Sequence, residues 1–505
     1  MHRFISMLGR VCALGALLSS SAFAAASYSQ NFSATPASWT TANDTWNASG
    51  DYRNTNGALP PSLAWYTGQT WTTNFTYKVR AYTDWPGTGN QVGVLFGLTD
   101  ATHFHEVLVN ANGDVGVYAA SGNASSPTLL FPAGHVNGLA ADTWFDLELF
   151  VSGNFVTVKV NGNVAIDHQP ITPVAGKIGL VARSDLARFD DVLVTTMLFR
   201  GNFTQDDGTA IDLEEPDANC VGTCYVKISG VDSSGFQWPV RLWVGANDEG
   251  GLLQYISQSN TGHVTDYAGA QIETQIGHGG SNTHVLHQWL IKKGDKQPQI
   301  PYAIRPTNTF SQQHDLYMRF WLKYPYPFST DASDNDYWQM PWQFVTDGTF
   351  GGGDARALRV SLFATRSPTY NKENCNIAAG SPLHWHWVIQ GDQDPDHVLW
   401  QRCNKDSEVP MGRWFKVEIF FHRATSNNGA GRVWVAIDGE KIFEDTVNKT
   451  NSHGNPEGGM YAAGSPIVRI NLPQMYGGDE WPREQFVDDV EIWNGFPSNA
   501  SEHTE

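Results

Sequence analysis

The chain is written in short runs where apolar and polar residues alternate, as in "NFTYKVRAYTD", "NQVGVLFGLTD", "FVTVKVNGNVAI" and "GRVWVAIDGEKIF". Successive strand side chains point to opposite faces, so such alternation predicts strands with one face in a core and the other outward. Gly, Asn, Asp and Pro separate the runs. Asn161-Gly162 and Asp438-Gly439 stand where two-residue hairpin turns need a positive φ. Helical periodicity is almost absent. The pattern predicts an all-β chain built from sandwiches or jelly rolls.

The pattern also repeats. "TWFDLELFVSG" (143–153), "VKVNGNVAI" and "RFDDVLV" (188–194) return as "RWFKVEIFFHR" (413–423), "VAIDGEKIF" and "FVDDVEIW" (486–493). Trp144 lies 46 residues before Asp190, and Trp414 lies 74 before Asp488, so the second copy carries the larger insertions. Two domains follow, residues 27–197 and 225–497, with a linker at 198–224 that holds the acidic "TQDDGTAIDLEEPDANC". The polar tail 498–505 is expected to be disordered.

Residues 1–26 read as a secretory signal: Arg3 and Arg10, an apolar run, then Ala22-Phe23-Ala24 as the cleavage site. No later segment has the roughly 20 apolar residues of a membrane span. Four cysteines remain beyond the leader, an even number for an oxidising compartment. Local loops favour pairing Cys220 with Cys224 and Cys375 with Cys403; the second spacing is too wide for a zinc knuckle. The net charge of −19 becomes −21 once Arg3 and Arg10 leave with the signal. Such a chain is a poor candidate for binding nucleic acid or anionic membranes, which demand a basic footprint. The 19 Trp and 17 Tyr suit both core packing and stacking on sugar rings.

The W-F-x-x-E/L-x-F strand, the Asn-Gly or Asp-Gly hairpin and the closing Asp-Asp-Val strand resemble the concanavalin A-like lectin/glucanase superfamily. The resemblance implies two concanavalin A-like β-sandwich (jelly-roll) domains in tandem. The first is similar to laminin-G-like, sugar-binding members, and the second to polysaccharide lyases and family 16 glycosidases. Asp190 and Asp191, and Asp488 and Asp489, stand on closing strands where related sandwiches often hold a structural Ca2+. Charged edges against aggregation explain them as well. No other cofactor is required.

Parity sorts the candidate chemistry. In "LYMRFWLKYP", Tyr317, Arg319, Trp321 and Lys323 oppose Met318, Phe320 and Leu322. In "SPLHWHWVIQG", His384, His386 and Gln390 oppose Trp385, Trp387 and Ile389. Tyr337, Gln339 and Gln343, then Arg359, then Arg469 and Asn471 extend the polar set over further strands. The set is almost free of carboxylates in an acidic protein. Glycoside hydrolysis needs two carboxylates, and the E-x-D-x-E run is missing. β-Elimination instead needs a His or Tyr base and donors that neutralise a uronate. His384, His386, Tyr317, Arg319 and Lys323 are therefore the expected catalytic groups, and the remaining residues would bind substrate. The arginine–glutamate and Q-I/V-H strands of alginate lyases are not reproduced, since "TQIGH" puts Gln275 and His278 on opposite strand faces. The leading expectation is a secreted protein acting on an acidic polysaccharide. A non-catalytic lectin or adhesin is the alternative.

Overall fold

A computed structural model describes residues 27–55, 61–72, 74–83, 89–183, 186–201, 226–231, 236–240, 257–259, 262–264, 268–290, 299–306, 315–325, 338–346, 359–365, 381–390, 398–422, 431–445, 467–476 and 483–504. The regular structure of these residues is antiparallel strand throughout, apart from one short 3₁₀ turn at Ser501–Thr504. The signal segment and Cys220, Cys224 and Cys375 lie outside the described residues.

In the first sandwich, alternation does what it predicts. Leu147, Leu149 and Val151, Tyr77, Val79 and Ala81, and Val156, Val158 and Val160 fill one side of the core. Val92 and Val94, Val107 and Val109, Val115 and Val117, and Ile178 and Leu180 fill the other. Each Val, Leu or Ile among them contributes about 1.5–3 kcal/mol on burial. The buried Tyr77 hydroxyl donates to the Gly179 carbonyl at 2.8 Å, so its polar end is satisfied across the core.

The second sandwich pairs a sheet around Asp315–Lys323, Trp414–His422 and Arg483–Trp493 with an eight-stranded sheet that includes Arg359–Thr365 and His384–Gln390. Trp342 bridges the two: its indole N–H meets Met318 Sδ at 2.9 Å, and its ring stacks on Trp387 at 5.7 Å. Trp385 packs edge-on against Phe415. Both tryptophans of "HWHW" are fully buried between the sheets.

The internal repeat survives to the level of hydrogen bonds. In the first sandwich Asp190 pairs with Arg80, and Arg80 with Asp146; in the second, Asp488 pairs with Trp321, and Trp321 with Lys416. After each first aspartate the strand bulges. Asp191 (φ 50°) and Asp489 (φ 40°) occupy the bulges, and each donates its amide to the preceding carboxylate at 2.9 Å. The hairpin turns match too: Asn161 (φ 49°) and Asp438 (φ 52°) accept from the amides of Asp146 and Lys416.

The boundaries are where the structure departs from expectation. The strand Ala187–Gly201 does not stop at 197; its end pairs with the closing strand of the second sandwich, Met197 opposite Trp493 and Gly201 opposite Val490. One strand thus joins a sheet of each sandwich into a continuous 17-stranded sheet. The tail is not disordered either. Ser498, Ala500 and Ser501 are buried, Phe496 stacks on Phe420 at 4.3 Å, and Ser501 donates its amide to Glu418 at 2.9 Å. The same segment reaches the first sandwich: Thr195 Oγ1 donates to the Phe496 carbonyl at 2.8 Å, and Ser498 bonds Glu148. Glu148 and Glu418 are equivalent positions of the repeat. A polar segment can be ordered when its polar atoms find such fixed partners.

Candidate functional site

The strand His384–Gln390 places His384 and His386 on the face opposite its tryptophans, as parity requires. Pairing with Arg359–Thr365 sets His384 beside Thr365 and His386 beside Phe363. Ser361 stands opposite Gln343, which donates to it at 3.2 Å. Arg359 pairs in register with Gln390, and Gln343 with Asn471; Arg469 pairs with Val345. These pairings bring the strand positions of Arg359, Gln390 and Asn471 into one sheet with the histidines.

Two features of this face differ from the expectation. It is not an open groove wall, since His384 and His386 keep only 7 % and 3 % of their surface exposed. Nor is it free of carboxylates, because Glu408 is the register partner of His384 and Asp406 lies close by. Burial lowers the His384 pKa, and Glu408, Asp406 and a bond with the Lys405 backbone oppose that only in part. The net effect keeps the imidazole neutral at neutral pH, the form that accepts a proton. Cys403 is the register partner of His386.

Tyr317, Arg319, Trp321 and Lys323 belong elsewhere, and their expected partnership with the histidines is corrected. Met318 points at Trp342 in the core, so its odd-numbered neighbours face outward from the other sheet. The whole sandwich, with sheets about 10 Å apart, separates them from His384 and His386. Tyr317 is fully buried under the C-terminal segment and donates to Glu418 at 2.6 Å. Burial raises its pKa well above the ordinary phenol range, which disqualifies it as a base. Arg319 is held by Glu491 at 2.7 Å and Asn499 at 3.0 Å. Glu418 is fully buried; desolvation works against its charge, but bonds from Lys416, Ser501 and Tyr317 outweigh that and lower its pKa. These groups fasten the chain terminus. Lys323 lies over the rings of Trp414 and Phe486 at 5.9 and 5.8 Å, and Trp321 carries the ring of His278 at 4.4 Å.

Tyr337 lies outside the described residues, and of Gln339, Arg359, Gln390, Arg469 and Asn471 only the strand positions are described. The aspartate pairs divide. Asp191 is paired at the surface with Arg80, 3.2 Å away. Asp488 and Asp489 instead face His278. Its Nδ1 is 3.0 Å from Asp488 and its Nε2 is 3.6 Å from Asp489. Parity reading missed His278 because it assumed a regular strand through "TQIGH". The strand ends at Ile276, and His278 turns back on the hairpin tip. The run Gly277-His278-Gly279-Gly280 after Ile276 was the available signal for that turn.

Parts of this chain are similar to known proteins. Residues 31–195 match the family model of the 3-keto-alpha-glucoside-1,2-lyase-like domain. That match falls within the first sandwich. Among solved structures, carbohydrate-binding module CBM66 from Bacillus subtilis is 18 % identical, over 31 % of this chain and 93 % of that one, with a TM-score of 0.27. An endo-β-1,4-glucuronan lyase from the fungus Trichoderma reesei is 14 % identical over 45 % and 90 %, with a TM-score of 0.30. A Bacillus licheniformis β-glucanase is 16 % identical over 34 % and 98 %, with a TM-score of 0.26. No curated protein matches the chain. Among the described residues, no helix is long and apolar enough to cross a membrane.

Proposed function

We propose that this is an exported, polysaccharide-active protein whose second sandwich cleaves an acidic polysaccharide by β-elimination while the first holds glycan. The observation that carries the reading is His384: an imidazole kept neutral by burial, with His386, Ser361, Gln343 and Thr365 on the same face. His384 would take the proton alpha to the uronate carboxylate. The electron pair left behind forms the C4–C5 double bond, the C4–O4 bond breaks, and His386 or water returns a proton to the leaving oxygen. Neutralising the uronate falls to amide, hydroxyl and cationic groups of this sheet, with Arg359, Asn471 and Arg469 as the proposed donors. The family matched over residues 31–195, lyase-like by its description, supports a saccharide as the ligand of the first sandwich. Export fits the leader, and with it the pairs Cys220–Cys224 and Cys375–Cys403.

The test is ultraviolet absorbance of the unsaturated product, followed with the full chain over a panel of polyuronates. The reading expects turnover of one polymer class, lost on His384→Ala with the thermal melt retained. Binding of the same polymers without absorbance change, unaltered by His384→Ala, would replace the lyase by a lectin.

A further inference from the structure

The two copies of the Asp-Asp bulge have different partners, and the difference is chemical. In the first sandwich the strand position facing Asp190 is Arg80, whose guanidinium reaches Asp191 and lies 5.1 Å over Trp144. In the second the equivalent position is Trp321, which brings no charge to Asp488. An imidazole from a separate hairpin fills the space. His278 stacks on Trp321 with an interplanar angle of 12° and contacts both carboxylates. A Cβ on Gly277 would stand 2.2 Å from Thr283 Cγ2 and 2.5 Å from an Asp488 oxygen, so a side chain there would have to push both aside.

We propose that His278, Asp488 and Asp489 bind a borderline divalent metal ion, Zn2+ before Ca2+. One ligand atom from each lies within 4.8 Å of the others, and among the described residues this is the one group of three that meets that condition. The 3.0 Å between His278 Nδ1 and Asp488 is near the separation, about 3.3 Å, of two ligands on a tetrahedral ion with bonds of ~2.0–2.2 Å. Calcium takes oxygen ligands almost without exception, whereas an imidazole with two carboxylates suits zinc and its neighbours. Asp488 is buried while His278 and Asp489 are about a quarter exposed, so the ion has an entry path and room for water as a further ligand. The ring stacked on Trp321 arrives already oriented, which a metal-binding imidazole requires.

The experiment uses the full chain, stripped with chelator and titrated with Zn2+, Mn2+ or Ca2+ in a calorimeter. One equivalent of Zn2+ is expected, bound at least about tenfold more tightly than Ca2+. His278→Ala and Asp489→Asn should each weaken that binding at least about tenfold. His422→Ala, which removes another imidazole–carboxylate contact, should leave it unchanged. Co2+ loaded into the unmutated protein should show an absorption spectrum with a nitrogen ligand, a readout independent of how well any variant folds. Zinc bound equally by the wild type and His278→Ala, tighter binding of Ca2+, or a Co2+ spectrum of oxygen ligands alone would each overturn the assignment. So would failure of the folded wild type to bind any of the three ions.

Discussion

Ser501 donates its backbone N–H to Glu418 at 2.9 Å, and the Tyr317 hydroxyl donates to the same carboxylate at 2.6 Å. One buried glutamate thereby ties the C-terminal segment to the sheet that joins the two sandwiches. Lys416 completes the set at 2.8 Å. A carboxylate satisfied from three sides is costly to remove, because its donors stay buried without it. Glu418→Ala should therefore destabilise the protein by about 3–5 kcal/mol. Deleting residues 494–505 should expose Tyr317, Phe420 and Trp434 and increase binding of a hydrophobic dye. Urea unfolding and dye fluorescence measure the two effects; a deletion that melts like the wild type would show that the segment fastens nothing.

Trp385 and Trp387 point into the core and their histidine neighbours do not. Trp385→Ala or Trp387→Ala should cost about 3–5 kcal/mol, the range for truncating a large core aromatic. Equilibrium denaturation gives the comparison directly, and a tryptophan variant as stable as the wild type would refute the assignment of faces.

His384 gives stability a pH dependence of known sign. Burial depresses its folded pKa below the unfolded value of about 6.5, so the unfolded chain binds the proton first as pH falls. Its contribution is intact above that value and is lost on acidification through the folded pKa. Between pH 7.5 and 5 the wild type should lose more stability than His384→Gln. Melting temperatures at both pH values for both proteins decide it. Equal losses would mean that His384 titrates normally.

Arg183 and Glu106, 2.7 Å apart on the first sandwich, should respond in the opposite direction. Burial pushes the Glu106 carboxyl up to about 7 against the pull of Arg183. A carboxyl with a raised folded pKa favours folding below its unfolded value and loses that advantage as pH rises through the folded one. Arg183→Ala should thus cost about 3 kcal/mol at pH 8, where an unpaired buried carboxylate remains, and clearly less at pH 5, where it is protonated. Denaturation at the two pH values checks the sign, and a cost that is larger at pH 5 would reverse the argument.

The legible parts of the site were those set by neighbours in sequence. "HWHW" announced its two faces because parity is a property of a single strand and because indole buries far more apolar area than imidazole. What parity left out was cover. The same alternation describes an open groove wall and the buried face that His384 and His386 occupy, since the chain that covers a face comes from elsewhere. His278 was hidden for a related reason: one glycine-led turn moved it from a strand to a hairpin tip, beside two aspartates about 210 residues away.

The sequence by itself determined the all-β class, the doubling of the sandwich, the hairpin turns and the inward set of each strand, because hydrophobic period and turn chemistry act over a few residues. The tertiary structure decided which strands share a sheet. It sent Tyr317 and Arg319 to one outer face and His384 and His386 to the other. It also carried a single strand across both sandwiches, gave Arg80 to one aspartate pair and His278 to the second, and folded the polar tail onto Glu418. These outcomes depend on pairings between residues tens to hundreds of positions apart, where the free energy lies in the fit of whole surfaces and local pattern places no constraint.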